Sequence, residues 1–400
     1  MPGNEIIGKE EMKEVMDVME TGVFMRYGFD ERRKGVFKVR HFEEEFASYC
    51  GTGYALGVTS GSSALSVALN AMDVGPGDEV IVPSFTFVAT YEAILDVGAI
   101  PVMVDIDESM GLDPEKIEER ITPRTKAVIP VHMCGAPARI DEIVEVAKKH
   151  DLLVLEDTAQ SCGGSFQGKK LGTFGDMGTF SFDYVKTMTT GEGGMVITNN
   201  KELADRAEWY HDHGHDHNST VGRGDEGRSI LGFNYRMNEF QGAIGLAQLK
   251  KLDYIVGEQR KNKKAIRKEL AKIACVGFRP IFDPAGDTAT FLGFNFPDEG
   301  TAKRFQKVLK EEGTDTFLFK ENTWHYVPRW EHFLAQSTAN SKKYPFTNPM
   351  YKGTLDYRTE LIPRSEDILG RTLFMIIPVR MTEEAFEKIA GGIRKAGAVL

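Results

Sequence analysis

The chain has 400 residues, 41% of them hydrophobic, with 49 basic against 59 acidic side chains and a formal net charge of −10. That length favours two or three lobes around a sizeable apolar interior, and the negative surplus repels polyanions, so no nucleic-acid partner is expected. The start, Met1-Pro2-Gly3-Asn4-Glu5, has neither a basic nor an apolar leader region. No apolar run reaches the ~18 residues of a bilayer span, so the expected location is the cytoplasm, with no membrane partner. Cys50, Cys134, Cys162 and Cys275 are scattered without a CxxC pair, which suits reduced thiols better than disulfides or a zinc site.

In chain order, short β-branched runs at 55–58, 79–82, 100–104, 127–131, 152–155, 177–182 and 195–198 alternate with helical patterns at 63–72, 89–97, 114–121 and 140–150. This alternation predicts an α/β domain with a mostly parallel sheet covered by helices on both faces. In the 140–150 segment Ile140, Ile143, Val144 and Ala147 share one helical face, as packing on a sheet requires. Beyond residue 246 the character changes. A basic helix over 259–270 reads as a solvated face, 279–287 as loop, 291–296 and 373–377 as strands, and 301–312 and 382–395 as helices with threonine caps. The expected division is a large domain over 1–255, N-terminal segment included, and a smaller C-terminal α+β domain over 256–400.

Lys186 closes Ser181-Phe182-Asp183-Tyr184-Val185-Lys186, just before the Gly-rich run at 191–194. Asp157 follows the apolar strand Leu152-Leu153-Val154-Leu155. A lysine at the end of one strand facing an acid at the end of another is the arrangement that holds pyridoxal phosphate as a Schiff base. Ser60-Gly61-Ser62-Ser63, between a strand and a helix, offers N–H groups and hydroxyls to an anion, although such a turn also serves as a plain helix cap.

These segments belong to a longer series: Ser-Gly-Ser-Ser-Ala-Leu (60–65), Gly-Asp-Glu-Val-Ile-Val-Pro (77–83), Phe-Thr-Phe-Val-Ala-Thr (85–90), Val-His-Met-Cys-Gly (131–135), Glu-Asp-Thr-Ala-Gln (156–160), Gly-Glu-Gly-Gly (191–194) and Gly-Phe-Asn-Tyr-Arg-Met-Asn (232–238). In this order they resemble the DegT/DnrJ/EryC1/StrS sugar aminotransferases. The resemblance implies a fold-type I pyridoxal 5'-phosphate enzyme that moves an amino group from L-glutamate or glutamine to a keto sugar. It further implies that Lys186 holds the cofactor and shuttles the proton, Asp157 pairs with the pyridine nitrogen, Gln160 lies near the ring hydroxyl and Phe87 stacks on the ring. Ser62, the backbone of Ser63 and Ser181 would hold the phosphate. Asn234 would reach the phosphate of a neighbouring subunit, giving a homodimer with shared active sites. Lysine rather than histidine at 186 favours transamination over sugar dehydration.

Three segments depart from the commoner pattern. The insert Arg26–Lys34 brings Arg26, Tyr27 and Arg32, whose cations would suit an anionic substrate near the site entrance; a solvated charged loop is the alternative. His211-Asp212-His213-Gly214-His215-Asp216-His217 invites a metal reading, but period-two spacing sends neighbours to opposite sides, and the resemblance implies substrate contact through His215 and His217. The aromatic run at 322–330 places Trp324 and His325 where a loop could close over the sugar. These departures, with the Met1-Pro2-Gly3 opening, resemble most the subgroup forming 8-amino-3,8-dideoxy-manno-octulosonate for lipopolysaccharide. A nucleotide-linked keto sugar, a dehydratase and a non-catalytic cofactor-binding regulator are the competing readings.

Overall fold

A computed structural model describes residues 3–218 and 220–400; the Met1-Pro2 opening lies outside the described residues. Its main sheet has seven strands: β1 (Tyr54–Val58), β2 (Glu79–Pro83), β3 (Ile100–Val104), β4 (Thr125–Val128), β5 (Leu153–Asp157), β6 (Met177–Ser181) and β7 (Gly194–Thr198), in the order β1-β7-β6-β5-β4-β2-β3. Neighbours from β6 to β3 are parallel; β7 alone runs against both of its neighbours. The run Val80-Ile81-Val82 is wholly buried, as a strand covered on both faces must be. Helices α1 (Gly61–Ala71), α2 (Ala89–Asp96), α3 (Ile140–Lys149) and α4 (Lys201–His211) pack around the sheet.

The stretch expected to be helical over 114–121 forms only two short 3-10 turns, Pro114–Lys116 and Glu118–Arg120. The chain is already extended at Ile121 (φ −72°, ψ 133°), and Pro123 keeps Thr122 from resuming a helix. The helix Glu299–Glu311 is capped by Asp298, whose carboxylate accepts from the Thr301 N–H at 2.8 Å, so Thr301 sits inside the first turn. Thr382 does cap the last helix, Glu383–Gly397, accepting from the Ala385 N–H at 3.1 Å.

A second, antiparallel sheet joins β8 (Gly277–Phe278), β9 (Phe291–Asn295), β10 (Phe317–Leu318) and β11 (Thr372–Ile376) in the order β8-β9-β11-β10. The expected boundary after residue 255 falls inside the helix Leu252–Leu270. The C-terminal segment does not stay with its own sheet. Trp330 and Phe333 lie edge-on to Tyr91, at 5.1 and 5.3 Å between ring centroids, within the large-sheet core. Tyr351 donates to Glu79 at 2.9 Å and Tyr357 to the Pro101 carbonyl at 3.0 Å. Burial of these aromatic faces draws the chain back across the large sheet.

Candidate active site

The parallel strands and β1 end on one side of the main sheet, the side on which open α/β sheets bind ligands. There β1 turns into α1 through Ser60. Ser60 Oγ accepts from the Ser63 N–H at 3.0 Å, and Ser63 Oγ accepts from the Ser60 N–H at 2.8 Å. The N–H groups of Gly61 and Ser62 are left without a partner among the described residues, at the positive end of an 11-residue helix. A Cβ at Gly61 would lie 2.7 Å from Ser181 Cβ, so only glycine lets this turn approach the end of β6.

Asp157 ends β5 with its carboxylate buried. One oxygen accepts from Thr90 Oγ1 at 2.9 Å and the other from the Ala159 N–H at 3.1 Å. Burial pushes this carboxyl above its ordinary value, while both donors, Lys186 and His132 oppose the rise. Gln160, one turn on, accepts from the Cys134 N–H at 3.1 Å. Across the gap Lys186 places its amine 5.8 Å from the Phe87 ring centre. Burial depresses this amine below the usual lysine value, against the pull of Asp157 and Asp183.

Phe87 is backed by Trp324, their rings nearly parallel at 5.8 Å and 4°. The backbone explains the contact: Thr86 N–H donates to the His325 carbonyl at 3.1 Å and Val88 N–H to the Trp324 carbonyl at 2.9 Å. His325 Nδ1 pairs with Asn322 Oδ1 at 3.0 Å, which leaves Nε2 as an acceptor. Burial and then the Lys186 charge bring His325 down to about 4, so it is neutral near pH 7. Together these groups enclose a cavity of about 400 Å³ lined by Gly61, Ser62, Phe87, Asp157, Gln160, Ser181, Lys186 and His325, and closed by Phe291, Phe317 and Ile376 from the small sheet and Phe319 from the turn that follows β10.

Other expected site residues lie elsewhere. Ser63 does not line the cavity, because its N–H is spent on capping by Ser60. Trp324 is exposed and backs Phe87 from outside. Asn234 is exposed and outside the cavity, its side chain accepting from the Arg236 N–H at 3.4 Å. Arg26 does not stand at the entrance: it forms a two-pronged ion pair with Glu43, at 2.5 and 2.8 Å, and donates to the Gly57 carbonyl. Tyr27 bonds the His211 ring at 3.1 Å and packs on His217, and Arg32 is exposed. His215 is bound to Glu226 at 2.7 Å, and His217 lies 3.5 Å from Asp212, a carboxylate also held by Arg223 and Arg236. The charged loops thus neutralise one another, and among the described residues no three metal-ligating groups converge.

Among the cavity residues that the sequence reading missed are Thr86 and Thr90, whose hydroxyls bond each other at 2.8 Å across the turn that leads into α2; their signal was the pair of threonines inside Phe-Thr-Phe-Val-Ala-Thr.

Residues 5–356 match the DegT/DnrJ/EryC1/StrS aminotransferase family. The chain belongs to this family. Among its relatives, GDP-perosamine synthase of Caulobacter vibrioides is 48% identical over 213 residues, covering 53% of this chain and 56% of that protein. The spore coat polysaccharide biosynthesis protein SpsC of Bacillus subtilis is 37% identical over 359 residues, 88% and 89% of the two chains. The L-glutamine:2-deoxy-scyllo-inosose aminotransferase of Streptoalloteichus tenebrarius is 40% identical over 256 residues, 62% and 60% of the two chains. The solved aminotransferase of Psychrobacter cryohalolentis superposes with a TM-score of 0.84 at 26% identity, covering 98% of both chains. The chain is therefore a pyridoxal-phosphate-dependent sugar aminotransferase. No helix among its described residues is long and apolar enough to cross a membrane.

Proposed function

We propose that Lys186 carries the cofactor and the proton in this aminotransferase. The observation that carries the reading is that the Lys186 amine and the buried Asp157 carboxylate line one cavity. The residues present fit pyridoxal phosphate. Asp157 and Gln160 would hold the ring edge, Phe87 its face, and Ser62, Ser181 and the N–H groups of Gly61 and Ser62 the phosphate. When bound, the cofactor supplies a carbonyl that takes up an amine and a ring that withdraws electrons. Lys186 Nζ, held below the usual lysine value by burial, moves the proton from the donor carbon in one half-reaction and returns a proton to the acceptor in the other. Asp157 would face the ring nitrogen, and the aromatic wall on the small-sheet side would exclude water from the reacting atoms.

The donor in this reading is L-glutamate or L-glutamine. The acceptor is an 8-keto 3-deoxy-octulosonate, giving 8-amino-3,8-dideoxy-manno-octulosonate for lipopolysaccharide in the cytoplasm. The charged groups lining the cavity are Asp157, Asp183, Glu192 and Lys186, so a cation for an acidic sugar has to come from a second copy. A homodimer is supported by the exposed Leu231 and Phe233 beside Asn234, at 95% and 60% exposure. The Caulobacter relative favours a second acceptor, a nucleotide-linked keto-deoxysugar.

The test is the visible spectrum of the purified protein with pyridoxal phosphate, before and after L-glutamate or L-glutamine and then each keto sugar. A yellow band bleached by the donor and restored by one sugar, with nitrogen on the product, supports the reading and names the acceptor. Product without nitrogen would indicate dehydration, and a protein that never turns yellow would remove Lys186 from the chemistry.

A further inference from the structure

The Asp157 carboxylate has a hydrogen-bonding support that reaches the roof of the cavity. Thr90 Oγ1 donates to Asp157 Oδ2 at 2.9 Å. A hydroxyl has one proton, so Thr90 must accept in its 2.8 Å bond with Thr86 Oγ1, and Thr86 is the donor there. All three side chains are buried, and all three line the cavity. The backbone of the same turn carries the roof: Thr86 N–H bonds the His325 carbonyl and Val88 N–H the Trp324 carbonyl, which holds Trp324 flat against Phe87. One turn therefore aims the carboxylate from one side and fixes the aromatic face from the other.

We propose that Thr86 and Thr90 form a two-hydroxyl relay that positions Asp157 and keeps it ionised toward the cofactor ring nitrogen, Thr90 acting directly and Thr86 through Thr90. The inference rests on the assignment of Asp157 in the proposed function. The physical need is plain: a buried carboxylate requires donors, and besides Thr90 the only other hydrogen bond to the Asp157 carboxylate among the described residues is from the Ala159 N–H. The charged and titratable groups facing it are Lys186 from the loop after β6 and His132 from the turn after β4. His132 Nδ1 accepts from the Ala138 N–H at 3.1 Å and its Nε2 bonds Glu156 at 3.0 Å, so both ring nitrogens are engaged elsewhere. Its backbone N–H bonds the Asp157 carbonyl at 3.0 Å, and its ring makes no hydrogen bond to the Asp157 carboxylate. The α2 face of the carboxylate thus depends on Thr90.

The test is pyridoxal phosphate affinity of the apoprotein, followed by absorbance across pH, for wild type, Thr90→Val, Thr90→Ser, Thr86→Val and Asp157→Asn. Loss of a hydrogen bond to a charged group predicts roughly ten- to a hundredfold weaker binding in T90V. With its donor gone, the Asp157 carboxyl rises further, so the acid-side loss of binding should move to higher pH by about one unit. T90S, which keeps the hydroxyl, should restore both, and T86V should give a smaller effect in the same direction. A role in packing alone would weaken T90V binding equally at every pH. If T90V matches wild type in affinity and acid limb while D157N does not, the relay is wrong and the Asp157 assignment stands. If D157N also binds normally, the functional reading itself fails. Should T90V not fold, T86V decides: an unmoved acid limb overturns the relay.

Discussion

Arg26→Met tests whether the basic insert serves the substrate or the fold. In the structure its guanidinium is clamped to Glu43, side chains about a tenth exposed, while Glu43 Oε1 also accepts from the Gly57 N–H at 2.5 Å. The pair therefore ties the insert to the middle of β1. Methionine preserves the aliphatic stem and removes the charge, leaving Glu43 buried without its partner. Removing one member of a buried pair typically costs about 3–5 kcal/mol. Here the cost depends on pH, because burial pushes Glu43 up to about 7 even beside Arg26.

Without the arginine that value climbs further, so in R26M the folded state holds a proton that the unfolded chain, with an ordinary glutamate, releases. For an acid raised on folding, that stabilising share is complete below the unfolded pKa and disappears as pH rises through the folded one. Urea unfolding followed by tryptophan fluorescence at pH 6 and pH 9 should show R26M only mildly weakened at the lower pH and destabilised by about 3 kcal/mol or more at the higher. Equal stability of R26M and wild type at pH 9 would refute the buried-pair argument. A stable variant with a raised KM for the keto sugar would return Arg26 to the substrate.

Lys186→Ala should lower turnover by at least a hundred- to ten-thousandfold, the usual worth of a positioned proton-transfer group, with thermal stability kept; steady-state assay and melting separate the two. Phe87→Ala removes the ring face and should weaken pyridoxal phosphate binding by about two- to tenfold, read by absorbance titration. His325, brought to about 4 by burial, stays neutral over the working range, so His325→Asn should lower kcat/KM without moving either limb of the pH profile between about pH 6 and 9. Ser60→Ala deletes the cap of α1 and should cost about 1 kcal/mol in urea unfolding.

What the sequence disclosed and what it hid divide along chain distance. Asp157 and Ser181 were legible because each ends a short strand, and parallel strands bring their ends to one place; Lys186, expected at a strand end, lies in the loop that follows Ser181 yet reaches the same cavity. The alternation of strands and helices was legible for the same reason: it is written in local periodicity. The insert was not. An arginine run looks the same whether its charges meet water, a substrate or a carboxylate far along the chain, and here Arg33 finds Glu239, 206 residues away, with both side chains almost fully buried.

The return of the C-terminal segment onto the large sheet was hidden by the same mechanism, since Tyr351 meets Glu79 across 272 residues. Its consequence is functional. Residues 324–326 belong by sequence to the C-terminal half, yet they bond to the turn of Phe85–Val88 and sit directly over Phe87. The roof of the cavity is therefore anchored to the large sheet, while Phe317 and Ile376 enter from the small sheet and Phe319 from the turn that follows β10. The wall and the roof are in contact, since Phe319 lies edge-on to His325 at 5.1 Å between ring centroids and 4.9 Å from Phe85. Anchoring of the roof to the large sheet suits an enzyme whose cofactor must stay fixed while two different amine carriers enter and leave in turn.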